Sequence, residues 1–409
     1  MTSYLFTNGR VLQPEHAALI DGLHVLVEDG QVREVSDTPI KSNAEVVDLR
    51  GKTLMPGLID CHVHVNASLV NIGANAMLPS SLAALRSARI MEAMLQRGFT
   101  TVRDLGGADL GLVQAVEEGL IAGPRLIICG KALSPTGGHG DFRARSDDRD
   151  GDFHERVGSM SRVVDGVDAI RCAAREEVKA GAQFIKLMAN GGVASPNDPI
   201  HALGFSVEEI EAAVEEADNA GLYVSAHLYT DRAIARAVDC GVHSLEHCNL
   251  IRPDTAKRAA ERGCIAVPTL VAYESLALEG AALGLPPESA AKIETVRKGG
   301  MESLAIMREA GLPMAFGSDL LGGLMKFHSM EFEILSRALP ASEIIASATT
   351  VGAKLCRMEG KIGTIAPGAF ADLIVVDGDP LADITLLAHD GAHMPAIMAR
   401  GVFRKNELN

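Results

Sequence analysis

Positive charge is scarce in this chain of 409 residues: 38 Lys and Arg stand against 53 Asp and Glu, a formal net charge of −15. That balance disfavours nucleic acid and anionic membrane as partners, because both need an excess of cations. It says little about small substrates, which respond to the local field of a pocket. Long apolar runs are also missing. No stretch approaches the roughly 18 consecutive apolar residues of a membrane-spanning helix. The start, Met1-Thr2-Ser3-Tyr4-Leu5-Phe6, has no basic opening and no long apolar segment behind it, so no signal peptide is expected and the protein reads as cytoplasmic. The seven cysteines are odd in number and form no Cys-x-x-Cys pair. A disulfide framework or a thiolate zinc site is therefore not expected, and most of the cysteines read as small core residues.

What is present is enough apolar material for a large core, 47% of the residues. Its pattern divides the chain in two. Residues 4–12, 24–28, 31–35 and 45–49 are short strand-like runs separated by the turn signals Asn8-Gly9, Asp29-Gly30 and Gly51. Residues 371–378 and 396–403 are similar runs near the other end. A small discontinuous β-sandwich is expected from residues 1–55 together with 359–409. Between them, residues 56–358 alternate apolar runs with amphipathic helices. In Ser206–Gly221, Ser206 and Glu209 form a capping box, Ile210, Ala213, Val214 and Ala217 make an apolar stripe, and Gly221 is a stop. Asp231–Asp239 and Asp254–Arg262 repeat the pattern. The runs 58–62, 100–103, 125–129, 184–188, 223–226, 243–246, 265–268 and 313–317 are eight candidate parallel strands. Strands alternating with helices in this number predict an α/β protein with a (β/α)8 TIM barrel, whose chemistry sits at the C-terminal strand ends. Residues 140–156 read as a long polar loop after strand 3.

The strand ends carry the chemistry. His62 and His64 lie two apart, and such residues project to one side of a strand. A histidine pair at this spacing also arises by chance, so the reading turns on the later strands. Lys186 lies in strand 4, His227 ends strand 5, His247 ends strand 6 and Asp319 ends strand 8. Neutral imidazoles and a carboxylate converging on one barrel mouth suit a divalent metal, zinc first among them, with manganese, cobalt or iron open. A free lysine ammonium would repel a metal, but its amine can react with CO2 to give an anionic carbamate ligand. The alternative for Lys186 is an ion pair at a strand end.

These residues, with Met55-Pro56-Gly57-Leu58-Ile59-Asp60-Cys61-His62-Val63-His64 and Gly363-Thr364-Ile365-Ala366-Pro367-Gly368, resemble the amidohydrolase superfamily along essentially the whole chain. The resemblance implies two divalent metals. His62, His64 and Asp319 would hold the more buried one, His227 and His247 the more exposed one, and carboxylated Lys186 would bridge. It also implies amide hydrolysis by a metal-bridging hydroxide, with Asp319 moving the proton to the leaving amine. Gly98–Asp104, Ser134–Gly140, Lys186–Pro196, His227–Thr230 and Glu246–Ile251 are similar to the prolidase-like group of dipeptidases and carboxypeptidases. That group cleaves dipeptides or N-acyl amino acids, which makes a small molecule the expected partner. Relatives of this kind suggest a homo-oligomer.

Several groups are candidates around the metals. His139 and Tyr229 could donate to the developing oxyanion, although a loop histidine or a packed phenol would look the same. Arg143, Arg145 and Arg252 are candidates for the substrate carboxylate, against a reading as solvent-facing loop charge. Asn190, Gly191 and Gly192 could offer backbone N–H groups. Arg103 reads as a structural partner of nearby carboxylates, and His201 and His328 as bland loop residues. The loops after strands 7 and 8 are mainly apolar, which favours release of proline or another apolar residue. Glu274 and Asp198 keep an arginine- or lysine-releasing carboxypeptidase open. A cyclic-amide or imidazolone hydrolase and a metal-free scaffold are the remaining readings.

Overall fold

The computed structural model of the chain describes residues 3–147, 154–193, 195, 198–283 and 287–408. Residues 148–153 of the polar loop after strand 3 fall outside that set, as do 194, 196 and 197 of the stretch after strand 4.

The middle of the chain is a parallel barrel. Its regular strands are β1 (Leu58–Val63), β2 (Phe99–Asp104), β3 (Arg125–Ile128), β4 (Ile185–Met188), β5 (Val224–Thr230), β6 (Ser244–Leu250) and β7 (Ile265–Val267). β1, β2 and β3 pair in that order, and β4 to β7 pair in sequence. Gln183 N–H donates to Ile128 O and so joins β3 to the chain that opens β4. The eighth staves run through 313–317 without a regular ladder. Ala266 and Ala315 exchange bonds with this segment and with β7, and Cys61 N–H donates to Phe316 O, which closes the ring onto β1. The ladder is irregular because Phe316 sends its own N–H to Ser347 O, away from either neighbouring strand.

Strands buried on both faces read as unbroken apolar runs, which is why they were legible. Helices cover the outside. Ser206 Oγ accepts from Glu209 N–H and Glu209 returns to Ser206 N–H, the expected capping box at the head of Val207–Asn219. The next helix, Asp231–Asp239, is capped one residue earlier than its acidic start suggests, by Thr230 Oγ1.

Both chain ends meet in two sheets. One orders Gln31–Ser36, His24–Glu28, Tyr4–Thr7 and Glu45–Asp48. The other places Thr53–Pro56 between Arg10–Gln13 and Leu373–Val376, with the hairpin Ala396–Ala399 and Val402–Asn406 beyond. Phe6, Val11, Val25 and Val27 from the early strands pack with Leu54, Leu373, Val375 and Met398. The strands Ala18–Asp21 and Thr53–Pro56 were not among the runs picked out from sequence.

One buried carboxylate holds the helix after β7. Glu331 accepts from the backbone N–H groups of Leu270 and Val271, at 3.2 and 2.6 Å, at the head of helix Leu270–Glu279. Burial, which outweighs these bonds, pushes its carboxyl well above the ordinary range. A raised value in the fold means stability that is full below the unfolded pKa and is lost as pH rises through the folded one. Thermal unfolding at pH 5, 6, 7 and 8 should therefore show Glu331→Gln gaining on the parent protein as pH rises. A constant difference across the series would refute this.

Candidate metal centre and active site

The strand ends converge as the alternation of strand residues requires. Lys186 lies opposite Ser225, and His227 opposite Glu246, in the β4–β5–β6 register. His62, His64, Lys186, His227, His247 and Asp319 all line one cavity at the barrel mouth. Asp319 Oδ1 is 3.4 Å from His62 Nε2 and 3.3 Å from His64 Nε2. These three residues offer ligand atoms within 4.8 Å of one another. The His227 and His247 rings meet at 4.7 Å, and the His247 and His62 rings at 4.9 Å.

Three of the four rings have Nδ1 engaged, whereas His227 places Nε2 3.3 Å from Gly191 O. His62 Nδ1 lies 2.8 Å from Glu246 Oε2, His64 Nδ1 3.0 Å from Gly106 O, and His247 Nδ1 2.7 Å from Thr269 Oγ1. Such partners set the tautomer and leave the opposite nitrogen as the donor pair for a metal. Burial, helped by neighbouring charged groups, holds His227 and His247 well below the usual imidazole value, so both are neutral. For Asp319, burial is outweighed by His62 and His64, and its carboxyl sits well below the ordinary range.

Glu246, to which the sequence alone assigns no role, is the centre of this arrangement. Its Oε1 accepts from Arg103 Nη2 at 2.6 Å, Ser225 Oγ at 2.7 Å and Ser244 Oγ at 2.5 Å. Arg103 is thus the structural ion-pair partner expected of it, with its guanidinium 4.6 Å from the Phe184 ring. His247 has φ +74° and Asp319 φ +51°. The left-handed turn at His247 breaks the alternation, so Glu246 and His247, adjacent in sequence, both face the barrel interior.

Lys186 tests the fit of a metal. Its Nζ is buried and, among the described residues, has neither a hydrogen bond nor an ion pair, which removes the strand-end ion pair as its explanation. Burial pulls its pKa down to about 8. An unpartnered, easily neutralised amine beside four imidazoles and a carboxylate fits a metal site completed by a lysine carbamate.

Around these residues, His139 stacks on His227 at 4.1 Å. Its Nδ1 is 2.7 Å from Ser195 Oγ and 3.3 Å from Asp198 Oδ2. Gly192 makes room for this ring: a Cβ there would lie 1.9 Å from it. Tyr229 also lines the cavity.

The remaining substrate-contact candidates are placed otherwise. Asn190 clamps two loops, donating to Ile200 O and Ala202 O and accepting from Tyr229 N–H and Thr230 N–H. The N–H of Gly191 goes to Ala202 O and that of Gly192 to Asp198 Oδ2, so neither is left for an anion. Arg143 grips Asp141 through two bonds of 2.8 Å, and Arg252 is exposed at the head of helix Pro253–Glu261. Neither arginine lines the cavity. Asp198 Oδ2 is engaged by His139 and Gly192, Glu274 pairs with Arg297 and Arg337, and neither carboxylate lines the cavity. His328, expected to be a bland loop residue, is buried and donates to Asp60 at 2.8 Å, a contact that braces strand β1 itself.

A model of the amidohydrolase family matches residues 53–395. The chain belongs to the amidohydrolase family. This amidohydrolase is 32% identical over 348 residues to the ochratoxinase of Aspergillus niger, covering 82% of the chain and 72% of that protein. It is 52% identical to a prolidase crystallised with N-methylphosphonate-L-proline, with a TM-score of 0.97 over 99% of this chain and all of that one. It is 28% identical to a Xaa-Pro dipeptidase with methionine in its active site, with a TM-score of 0.86 over 99% of this chain and 100% of the other. The TIM-barrel expectation and the prolidase-like resemblance are both borne out. Among the described residues, no helix of this amidohydrolase is long and apolar enough to cross a membrane.

Arg103→Met would leave Glu246 as a buried anion without its cation. Breaking a buried pair of this kind should cost about 3–5 kcal/mol, read as a lower midpoint in urea unfolding. A loss under about 1 kcal/mol would show that the serines and His62 suffice for Glu246.

Proposed function

We propose that this protein is a metal-dependent dipeptidase that also accepts N-acyl amino acids and releases a C-terminal proline or similar apolar residue. The observation that carries this reading is the cavity wall. Beside the polar cluster it consists of Ile72, Phe142, Met160, Met188, Val193, Ala272, Leu276 and Leu321. The two carboxylates that an arginine- or lysine-releasing enzyme would use, Glu274 and Asp198, are bound to other partners. The similarity to a prolidase crystallised with a phosphonyl proline supports the same class of substrate.

His62, His64 and Asp319 would hold one divalent metal, His227 and His247 a second, and Lys186, after its neutral amine adds CO2 and loses a proton, would bridge them. Zinc suits these donors best. Bound metals of this kind polarise the scissile carbonyl and lower the pKa of a water to about 7. The residues of the chain do the rest. Asp319, ionised and between the two β1 imidazoles, takes the proton of the attacking water and delivers it to the nitrogen of the leaving amine. His139 and Tyr229 donate to the oxygen on which negative charge develops. Asp198 and Ser195 fix the orientation of the His139 ring. The apolar wall receives the released side chain and excludes water from it.

Two measurements test this. The zinc-loaded protein should hydrolyse Ala-Pro, Ala-Leu and N-acetyl-proline with kcat/KM at least about 100-fold above Ala-Arg and Ala-Lys, since a buried unpaired cation in an apolar pocket is strongly disfavoured. Preference for the basic residues would overturn the apolar assignment. Asp319→Asn should lower kcat about 10²–10⁴-fold, and full activity in that variant with unchanged metal content would remove Asp319 from the proton path.

A further inference from the structure

Tyr273 falls in the segment after strand 7 that reads from sequence as a mainly apolar loop. It lies in helix Leu270–Glu279, is fully buried, and lines the same cavity as the ligands. Its hydroxyl belongs to a chain of contacts that starts at a ligand candidate. His247 Nδ1 is 2.7 Å from Thr269 Oγ1, Thr269 Oγ1 is 3.4 Å from Tyr273 Oη, and Tyr273 Oη donates to Tyr229 Oη at 3.2 Å.

The direction of this chain follows from proton counting. With Nε2 of His247 turned to the cavity, Nδ1 carries the proton and donates to Thr269. Thr269 Oγ1, having accepted, has its own proton to give, and Tyr273 Oη is the acceptor in reach. Tyr273 then gives its proton to Tyr229. Tyr229 Oη, already an acceptor, keeps a proton that, among the described residues, goes to no protein group. Hydrogen bonds in such a series polarise one another in the same sense. The two rings meet edge-on at 5.9 Å, so the hydroxyl contact is made without stacking.

We propose that Tyr273 is a positioning residue: by donating to Tyr229 Oη it forces the Tyr229 hydroxyl proton toward the cavity, where it meets the oxyanion formed during amide hydrolysis. The link to hydrolysis rests on the dipeptidase reading above, whereas the orientation of Tyr229 does not.

The orientation can be read without turnover. The chain has four tyrosines, Tyr4, Tyr223, Tyr229 and Tyr273, so labelling tyrosine with 13C at Cζ yields four NMR signals. The signal lost in Tyr229→Phe identifies Tyr229. Tyr273→Phe keeps the ring and its ring current and removes the donor. It should move the Tyr229 signal and leave those of Tyr4 and Tyr223 in place. A stationary Tyr229 signal overturns the proposal, whatever the protein hydrolyses.

Kinetics test the consequence with zinc-loaded protein, Ala-Pro as substrate and metal content checked for each variant. Loss of one neutral hydrogen bond that acts in the transition state should lower kcat of Tyr273→Phe about 2- to 10-fold with little change in KM. In a Tyr229→Phe background the same substitution should have no further effect. Equal losses in both backgrounds, or a change confined to KM, would overturn the positioning role. If the parent protein hydrolyses none of the amides, the dipeptidase reading fails and the NMR result alone decides the orientation of Tyr229.

Discussion

The carboxylate of Glu246 ties the barrel mouth together. It draws on four strands at once: His62 from β1, Arg103 from β2, Ser225 from β5, and Ser244 from its own strand β6. A charge buried this deeply is tolerable only with its donors in place, and here each oxygen has them. Burial alone would raise its pKa, yet Arg103 and His62 keep it well below the ordinary range. The anion then dictates the tautomer of His62, and with it which nitrogen faces Asp319. One residue thereby converts the packing of the barrel floor into the orientation of a candidate metal ligand.

The second constraint is conformational. A strand offers one face to the interior at every other residue, so a barrel cannot normally aim two consecutive side chains inward. The positive φ of His247 overrides this and lets Glu246 act below while His247 faces the cavity. Asp319 shows a positive φ at the matching place on the eighth segment, just after Ser318 has bonded to Asp60. Residues other than glycine take up this conformation at a cost of about 1–3 kcal/mol, and the surrounding hydrogen bonds maintain it. The cost falls where the chain supplies its most chemically committed side chains.

The barrel was legible because strands covered on both faces carry apolar runs, and the helices because Ser206 and Gly221 mark their ends. The His62, His64 and Asp319 cluster was legible because alternation along β1 leaves little choice of direction. Other features depend on tertiary partners that no local pattern encodes. Glu274 resembled a pocket acid until Arg297 and Arg337 were seen beside it. Asn190 and the glycines after it looked like an anion cradle, but their polar groups close the loop onto residues 198–202. Glu246 escaped notice because the alternation rule assigns its neighbour, not itself, to the site. Tyr273 was hidden in a segment that reads from sequence as a mainly apolar loop and folds as a helix.

The sheet that joins the chain ends sets an order of events during synthesis. Thr53–Pro56 acquires its neighbour Arg10–Gln13 early, but its other neighbour, Leu373–Val376, leaves the ribosome only after residues 57–372 have been made. At about 5–20 residues per second that interval is roughly 15–60 s. Through it, the nascent protein carries an unpaired strand edge beside a barrel that is still being completed. Open edges of this kind invite pairing with other chains. Rapid closure of the barrel, or a chaperone covering residues 53–56, is therefore part of what this architecture asks of the cell.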